Sequence, residues 1–218
     1  MIGIVGSSGH AKVVIDILER RPEYRIAGLF DLPRLVGKEV LGYPILGSEE
    51  QLPQYRQSQE LDGVIVAIGD NDLRRKVVES IERLCPVLPF VRAIHPSVQL
   101  GKAVSVGPGS VLIAGAVVNA AAKVGAHCIV NTKASLGHDA VMQDFSSLAS
   151  GATVGGGALM GTGCAIALSA TVLHNRKVGA HTVVGAGAVV SRDLPDAVVA
   201  YGIPCRVIRT RSIGEKYY

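Results

Sequence analysis

From Leu100 to Val190 every sixth residue is aliphatic, sixteen positions in unbroken phase. With roughly one aliphatic residue in three, chance gives such a run with a probability of about 10⁻⁸. Four residues after each, the side chain is mostly Ala, Ser, Thr or Cys, with Arg176 the clear exception. Gly follows the aliphatic position at 101, 107, 125, 137, 155, 161, 179 and 185. A period of six requires a short flat strand and a turn repeated on equivalent faces. The aliphatic side chain points inward, the small one fits the corner, and Gly tolerates the tight turn. Three faces close one coil of 18 residues, so the pattern predicts a solenoid of about five coils.

The chain ahead of this repeat follows another rule. "IGIVG" (2–6), "RIAGLF" (25–30) and "GVIVAIG" (63–69) read as strands, the last of the fully buried parallel type. "HAKVVIDILER" (10–20) and "NDLRRKVVESIERL" (71–84) carry apolar residues at helical spacing, with Asp70 or Asn71 available as cap of the second. Alternating strands and helices predict a small parallel α/β sheet. Two domains are expected, residues 1–92 and residues 93–218, the latter ending in a short tail.

Composition removes several classes. Only nine of 218 residues are Phe, Tyr or Trp, and the net charge of +4 comes from scattered basic residues, so nucleic acid is not an expected partner. The start "MIGIVGSSGHAKVV" lacks the basic region of a signal peptide, and no uninterrupted apolar run is long enough to span a membrane. Cys85, Cys128, Cys164 and Cys205 lack CxxC spacing and read as reduced thiols of a cytoplasmic protein.

In a coil of 18, residues 18 apart stack about 4.8 Å apart. His138 and His174 are then two coils apart and His127 and His181 three, roughly 10 and 14 Å, too far for either pair to share one zinc within a subunit. No metal is expected. In "LGHDA" (136–140) an imidazole leaves the core beside a carboxylate. Such a pair can act as a general base with its orienter, or be two solvated residues on a turn.

The whole chain resembles the nucleotide-sugar acetyltransferases of the bacillosamine and perosamine N-acetyltransferase type, together with proteins called sialic acid O-acetyltransferases. The stretches that carry the resemblance are "GIVGSSGHAKVV" (3–14), "VGKEVLGYPILG" (36–47), "VAIGDNDLRRK" (66–76), "AIHPSV" (93–98), "NTKASLGHDA" (131–140), "GAGAVVSRDLPD" (185–196) and "GIPCRVIR" (202–209). It implies a Rossmann-like nucleotide-sugar-binding domain followed by a left-handed parallel β-helix of hexapeptide repeats, assembled as a homotrimer with active sites between subunits. It implies acetyl-CoA as co-substrate, His138 as the base that deprotonates the sugar amine or hydroxyl, and Asp139 as its polarising partner. Bacillosamine-type members carry a second, ligand-contacting histidine nine residues later, where this chain has Ser147, the substrate-binding candidate at that position. Gly156, Ala167, Gly185, Ala186 and Arg206 are the implied acetyl-CoA contacts, with Arg209 and Arg211 available to its phosphates.

"GSSGH" (6–10) follows a strand and opens a helix, so its backbone N–H groups suit a phosphate. Gly6, Ser8, Gly9 and His10 are expected to line that turn, and a side chain at Gly9 is expected to crowd it. Asp31 is placed for the base or ribose, and Gly69 and Asn71 end the next apolar strand, where open α/β sheets bind ligands. The reading is an acyltransferase that acetylates the amino group of a nucleotide-linked amino-deoxy sugar. Acetylation of a sugar hydroxyl, as on sialic acid, stands beside it. A non-catalytic nucleotide-sugar-binding protein is the alternative of another class.

Overall fold

In the first part of the chain, β1 (Ile2–Val5), α1 (Gly9–Glu19), β2 (Ile26–Phe30), β3 (Glu39–Val40), β4 (Tyr43–Gly47), α2 (Leu52–Gln57), β5 (Gly63–Val66) and α3 (Asn71–Leu84) follow one another. The structure, a computed structural model, describes residues 1–58 and 60–216. It divides into two compact units, Met1–Pro96 and the residues from Ser97 onward.

The first unit is a five-stranded sheet of order β3-β4-β2-β1-β5, parallel except for the β3–β4 pair. All four residues of β1 and of β5 are buried, which is why both read as uninterrupted apolar runs. α1 buries Ala11, Val14, Ile15, Ile17 and Leu18, one stripe of a helix. α3 is capped by Asp70, whose Oδ1 accepts a hydrogen bond from Leu73 N at 2.8 Å, and Asn71 is the first residue of the helix. The chain leaves β1 towards β2 and β4 on one side, then returns to β5 on the other. That reversal opens a crevice at the carboxyl end of β1.

The second unit is a parallel β-helix. Sixteen two-residue strands, from Gln99–Leu100 to Val189–Val190, pair with the strand 18 residues on and build three sheets. One sheet holds Ser135–Leu136, the next Val141–Met142 and the third Ser147–Leu148. The hexad aliphatics are buried from Leu112 to Val190, whereas Leu100 is exposed and Val106 half-buried in the first coil. Each buried Val, Leu or Ile contributes roughly 1.5–3 kcal/mol. Repeated corners place a residue in the left-handed region, among them His127, Lys133, Asp139, Phe145 and Asn175, all with φ between 54° and 59°. Beyond Val190 the expected tail is partly structured: Val198–Tyr201 joins the third sheet, and Arg206–Thr210 pairs with it antiparallel.

Candidate active site

His138 and Asp139 occupy the corner between the sheet of Ser135–Leu136 and that of Val141–Met142. The backbone of this corner is pinned from both neighbouring coils. Asp139 N donates to Ala120 O at 3.1 Å, and Gly157 N donates to His138 O at 2.8 Å. The side chains point away from the core, 72% and 67% exposed. His138 Nδ1 lies 2.7 Å from Asp139 Oδ2. A carboxylate only accepts, so Nδ1 is the donor, and in the neutral ring the lone pair is on Nε2. A pair this exposed adds about 0–1 kcal/mol to stability. Its consequence is chemical: the contact favours the Nδ1–H tautomer of the neutral ring, which leaves Nε2 able to take up a proton.

Ser147 follows His138 by half a coil, so within one chain it lies on the opposite side of the triangular section, half-buried in the third sheet. Gly156 stacks directly after His138, one coil on. Ala167 and Gly185 instead follow strands of the third sheet and stack on each other, with Ala167 N donating to Val184 O at 2.9 Å. Ala186 is exposed at the same corner. One chain therefore does not bring the expected acetyl-CoA contacts together. Arg206 is exposed on its strand, while Arg209 pairs with Glu215 at 2.6 Å and Arg211 Nη1 donates to His181 O at 2.7 Å.

Cys128 and Cys164 occupy the small-residue corner position of the hexad pattern. Ser110, Cys128, Ser146, Cys164 and Thr182 form one column inside a corner. Ser110 Oγ donates to Gly125 O and receives Cys128 N, at 2.7 and 2.9 Å, and Ser146 Oγ donates to Gln143 O at 2.6 Å. Burial pushes the Cys164 thiol far above its ordinary range, which denies it a thiolate. Among the described residues no group of three or more His, Cys, Asp or Glu stands where it could hold a metal ion.

In the first unit a cleft of about 410 Å³ opens at the carboxyl ends of β1 and β2. Gly6, Ser7, Ser8 and Asp31 line one side, Leu32, Pro33, Leu73 and Val77 supply apolar walls, and Ser48, Glu49 and Glu50 close another. Ser7, Glu49 and Glu50 were not among the expected residues. Asp31 accepts from Ser7 Oγ at 2.5 Å and from Leu32 N at 2.7 Å.

Gly6, not Gly9, is the demanding glycine of the turn. Its φ is +105°, and a methyl group there would come within 2.9 Å of Ala67 O. Around Gly9 such a group meets nothing within 4 Å, so the expected crowding is corrected. Gly9, His10, Gly69 and Asn71 do not line the cleft. Asn71 Oδ1 and the carbonyls of Ile68 and Gly69 instead hold the buried Arg74 guanidinium, at 2.7–3.0 Å. The His10 imidazole is lowered to about 4, by burial and then by Arg74.

The PglD N-terminal domain family matches residues 1–81. A histidine-to-asparagine variant of perosamine N-acetyltransferase from Caulobacter crescentus, solved with CoA and GDP-perosamine, is 36% identical. Its superposition gives a TM-score of 0.89 and covers 95% of this chain and 96% of that one. Curated relatives match over shorter stretches. UDP-N-acetylbacillosamine N-acetyltransferase of Bacillus subtilis is 32% identical over 116 residues, 52% of this chain and 51% of that protein. Galactoside O-acetyltransferase of Escherichia coli is 49% identical over 41 residues, and the chain spans only 20% of its length. With a Rossmann-like unit, a hexapeptide β-helix and a near full-length structural relative, the chain belongs to the hexapeptide-repeat acyltransferase family of the bacillosamine and perosamine N-acetyltransferases.

Proposed function

We propose that the protein transfers acetyl from acetyl-CoA to the amino group of a nucleotide-linked amino-deoxy sugar. The observation that carries this reading is the exposed His138–Asp139 pair at 2.7 Å, with Nε2 available. An amine attacking a thioester forms a tetrahedral oxyanion and must shed a proton. His138 Nε2 accepts that proton, and Asp139 stabilises the imidazolium and holds its orientation. The thiolate of CoA leaves directly, so no covalent enzyme intermediate is involved and the buried thiols take no part.

The cleft of the first unit suits the nucleotide: N–H groups of the turn for phosphate, Asp31 for a donor edge of base or ribose, and apolar walls for the rings. The small residues Ala167, Gly185 and Ala186 of one subunit, with Gly156 of another, frame acetyl-CoA between neighbouring β-helices of a homotrimer. That assembly has a mass near three times 22.7 kDa. We place the enzyme in the cytoplasm, where acetyl-CoA and nucleotide sugars are made; among the described residues no helix is long and apolar enough to cross a membrane.

Transfer to a sugar hydroxyl is the second reading, favoured by the short match to galactoside O-acetyltransferase. A thiol-release assay with acetyl-CoA and a panel of UDP-, GDP- and dTDP-linked amino sugars, each beside its hydroxyl analogue, decides. Turnover confined to amino sugars supports the proposal; turnover confined to hydroxyl sugars contradicts it. Light scattering checks the trimer, and a monomer at micromolar concentration removes both the assembly and the intersubunit site.

A further inference from the structure

The glycines of the β-helix are not alike. A methyl group on Gly137 would strike Gly156 N at 2.4 Å, and one on Gly155 would strike His174 N at 2.5 Å. Those positions are closed by the backbone of the next coil. Their glycines are requirements of the fold. At Gly156 the nearest atoms are of another kind: His138 Nε2 at 2.5 Å, Cε1 at 2.7 Å and Cδ2 at 2.9 Å, all from one imidazole ring. The ring of His138 lies over the missing side chain of Gly156. One residue on, Asn175 Oδ1 covers Gly157 in the same way, 2.3 Å from where its Cβ would be. Gly156 and Gly157 thus form a notch that the His138 imidazole enters from one coil and the Asn175 amide from the other.

We infer that Gly156 is a positioning residue for the reaction: its lack of a side chain seats the His138 ring, with Nε2 the ring atom nearest to it, while Nδ1 meets Asp139. This rests on His138 being the general base. Any Cβ within 3 Å of ring atoms forces a shift, and the ring is the movable partner because it ends an exposed side chain. The cost therefore falls on the orientation of the base and not on the coil. The backbone N–H and C=O of residue 156 are kept by alanine, with Asn175 N still donating to the residue 156 carbonyl at 2.9 Å as now. A role for Gly156 in holding acetyl-CoA through its backbone would accordingly survive the substitution, while a role through the imidazole would not.

The test is Gly156→Ala, read three ways. In steady-state kinetics kcat falls about 100-fold, the usual scale for a misplaced catalytic group, while KM for the sugar nucleotide stays within about twofold. In ¹⁵N-histidine spectra, with the His138 signals identified by their loss in His138→Gln, the wild-type neutral ring is the Nδ1–H tautomer and the variant ring loses that preference. In thermal melts any loss that Gly156→Ala causes in the wild type disappears in the His138→Ala background, because the ring that clashes is gone. The cycle of melts stands even if the single variant folds poorly. Unchanged kcat with an unchanged tautomer overturns the inference. So does a raised acetyl-CoA KM at constant kcat, or an equal loss of stability in both backgrounds. If the wild type itself turns over no sugar nucleotide, the functional proposal fails, and the spectra and melts still decide the seat of the ring.

Discussion

Ser7 Oγ donates to Asp31 Oδ2 at 2.5 Å, tying the turn after β1 to the end of β2 at the mouth of the cleft. The bond fixes one carboxylate oxygen, and Leu32 N fixes the other, so the lone pairs that remain are directed by two separate elements. Asp31→Asn removes the charge while keeping the shape. A hydrogen bond to a charged group is worth roughly 1.5–3 kcal/mol. Calorimetric titration of the variant is expected to weaken sugar-nucleotide binding by about tenfold or more and leave acetyl-CoA binding unchanged. Equal weakening of both ligands contradicts the placement.

Gly6 and Gly9 sit three residues apart and predict opposite outcomes. Gly6→Ala must adopt a φ of +105° and approach Ala67 O to 2.9 Å, so the melting temperature should drop by an amount equivalent to about 1–3 kcal/mol. Gly9→Ala, at the first turn of α1 with open space around it, should gain about 0.4–1 kcal/mol. A Gly6→Ala protein as stable as wild type refutes this account of the turn.

His10 makes stability depend on pH. Its value in the folded protein, about 4, lies below the ordinary 6.5 because burial and then Arg74 oppose the charge. Between those values the unfolded chain takes up a proton that the folded chain refuses. Stability is therefore complete above about pH 6.5 and is lost as pH falls towards 4, by at most about 3 kcal/mol. Urea unfolding across that window measures the slope. His10→Gln should flatten it; an unaltered slope assigns the effect to other groups.

Much of the fold was legible because the repeat is strict. An inward aliphatic every six residues leaves a flat strand no other face to bury, so Leu112 to Val190 fell into place without exception. Leu100 and Val106 show the limit of the pattern, since a first coil keeps the period but lacks a preceding coil to cover it. β3, β4 and the Val198–Tyr201 hairpin escaped because strands this short carry little periodicity. At the site, His138 and Asp139 were visible as neighbours in sequence. Glu49 and Glu50 reach the cleft from a different element than Gly6, and only the sheet order brings them there. Asn71 looked like a ligand at a strand end and holds Arg74 instead, a contact set by the helix spacing of three residues.

Cys164 offers a check on direct transfer. Buried, with its thiol pushed well upward, it should not react with a thiol reagent in the folded protein. Cys164→Ala should lower the melting temperature and leave kcat within about twofold. A folded Cys164→Ala protein with kcat down by orders of magnitude would return a covalent intermediate to consideration.

The most direct measurement is kcat for His138→Ala at neutral pH, with the sugar nucleotide that the panel selects and folding checked by thermal melts. The pair is exposed and adds little to stability, so the variant should melt near the wild type. Removing a general base costs about 10²–10⁴ in rate, and kcat should fall by that factor while acetyl-CoA affinity is unchanged. A folded His138→Ala protein that keeps more than about a tenth of wild-type kcat would contradict the account, because the proton would then leave by another route.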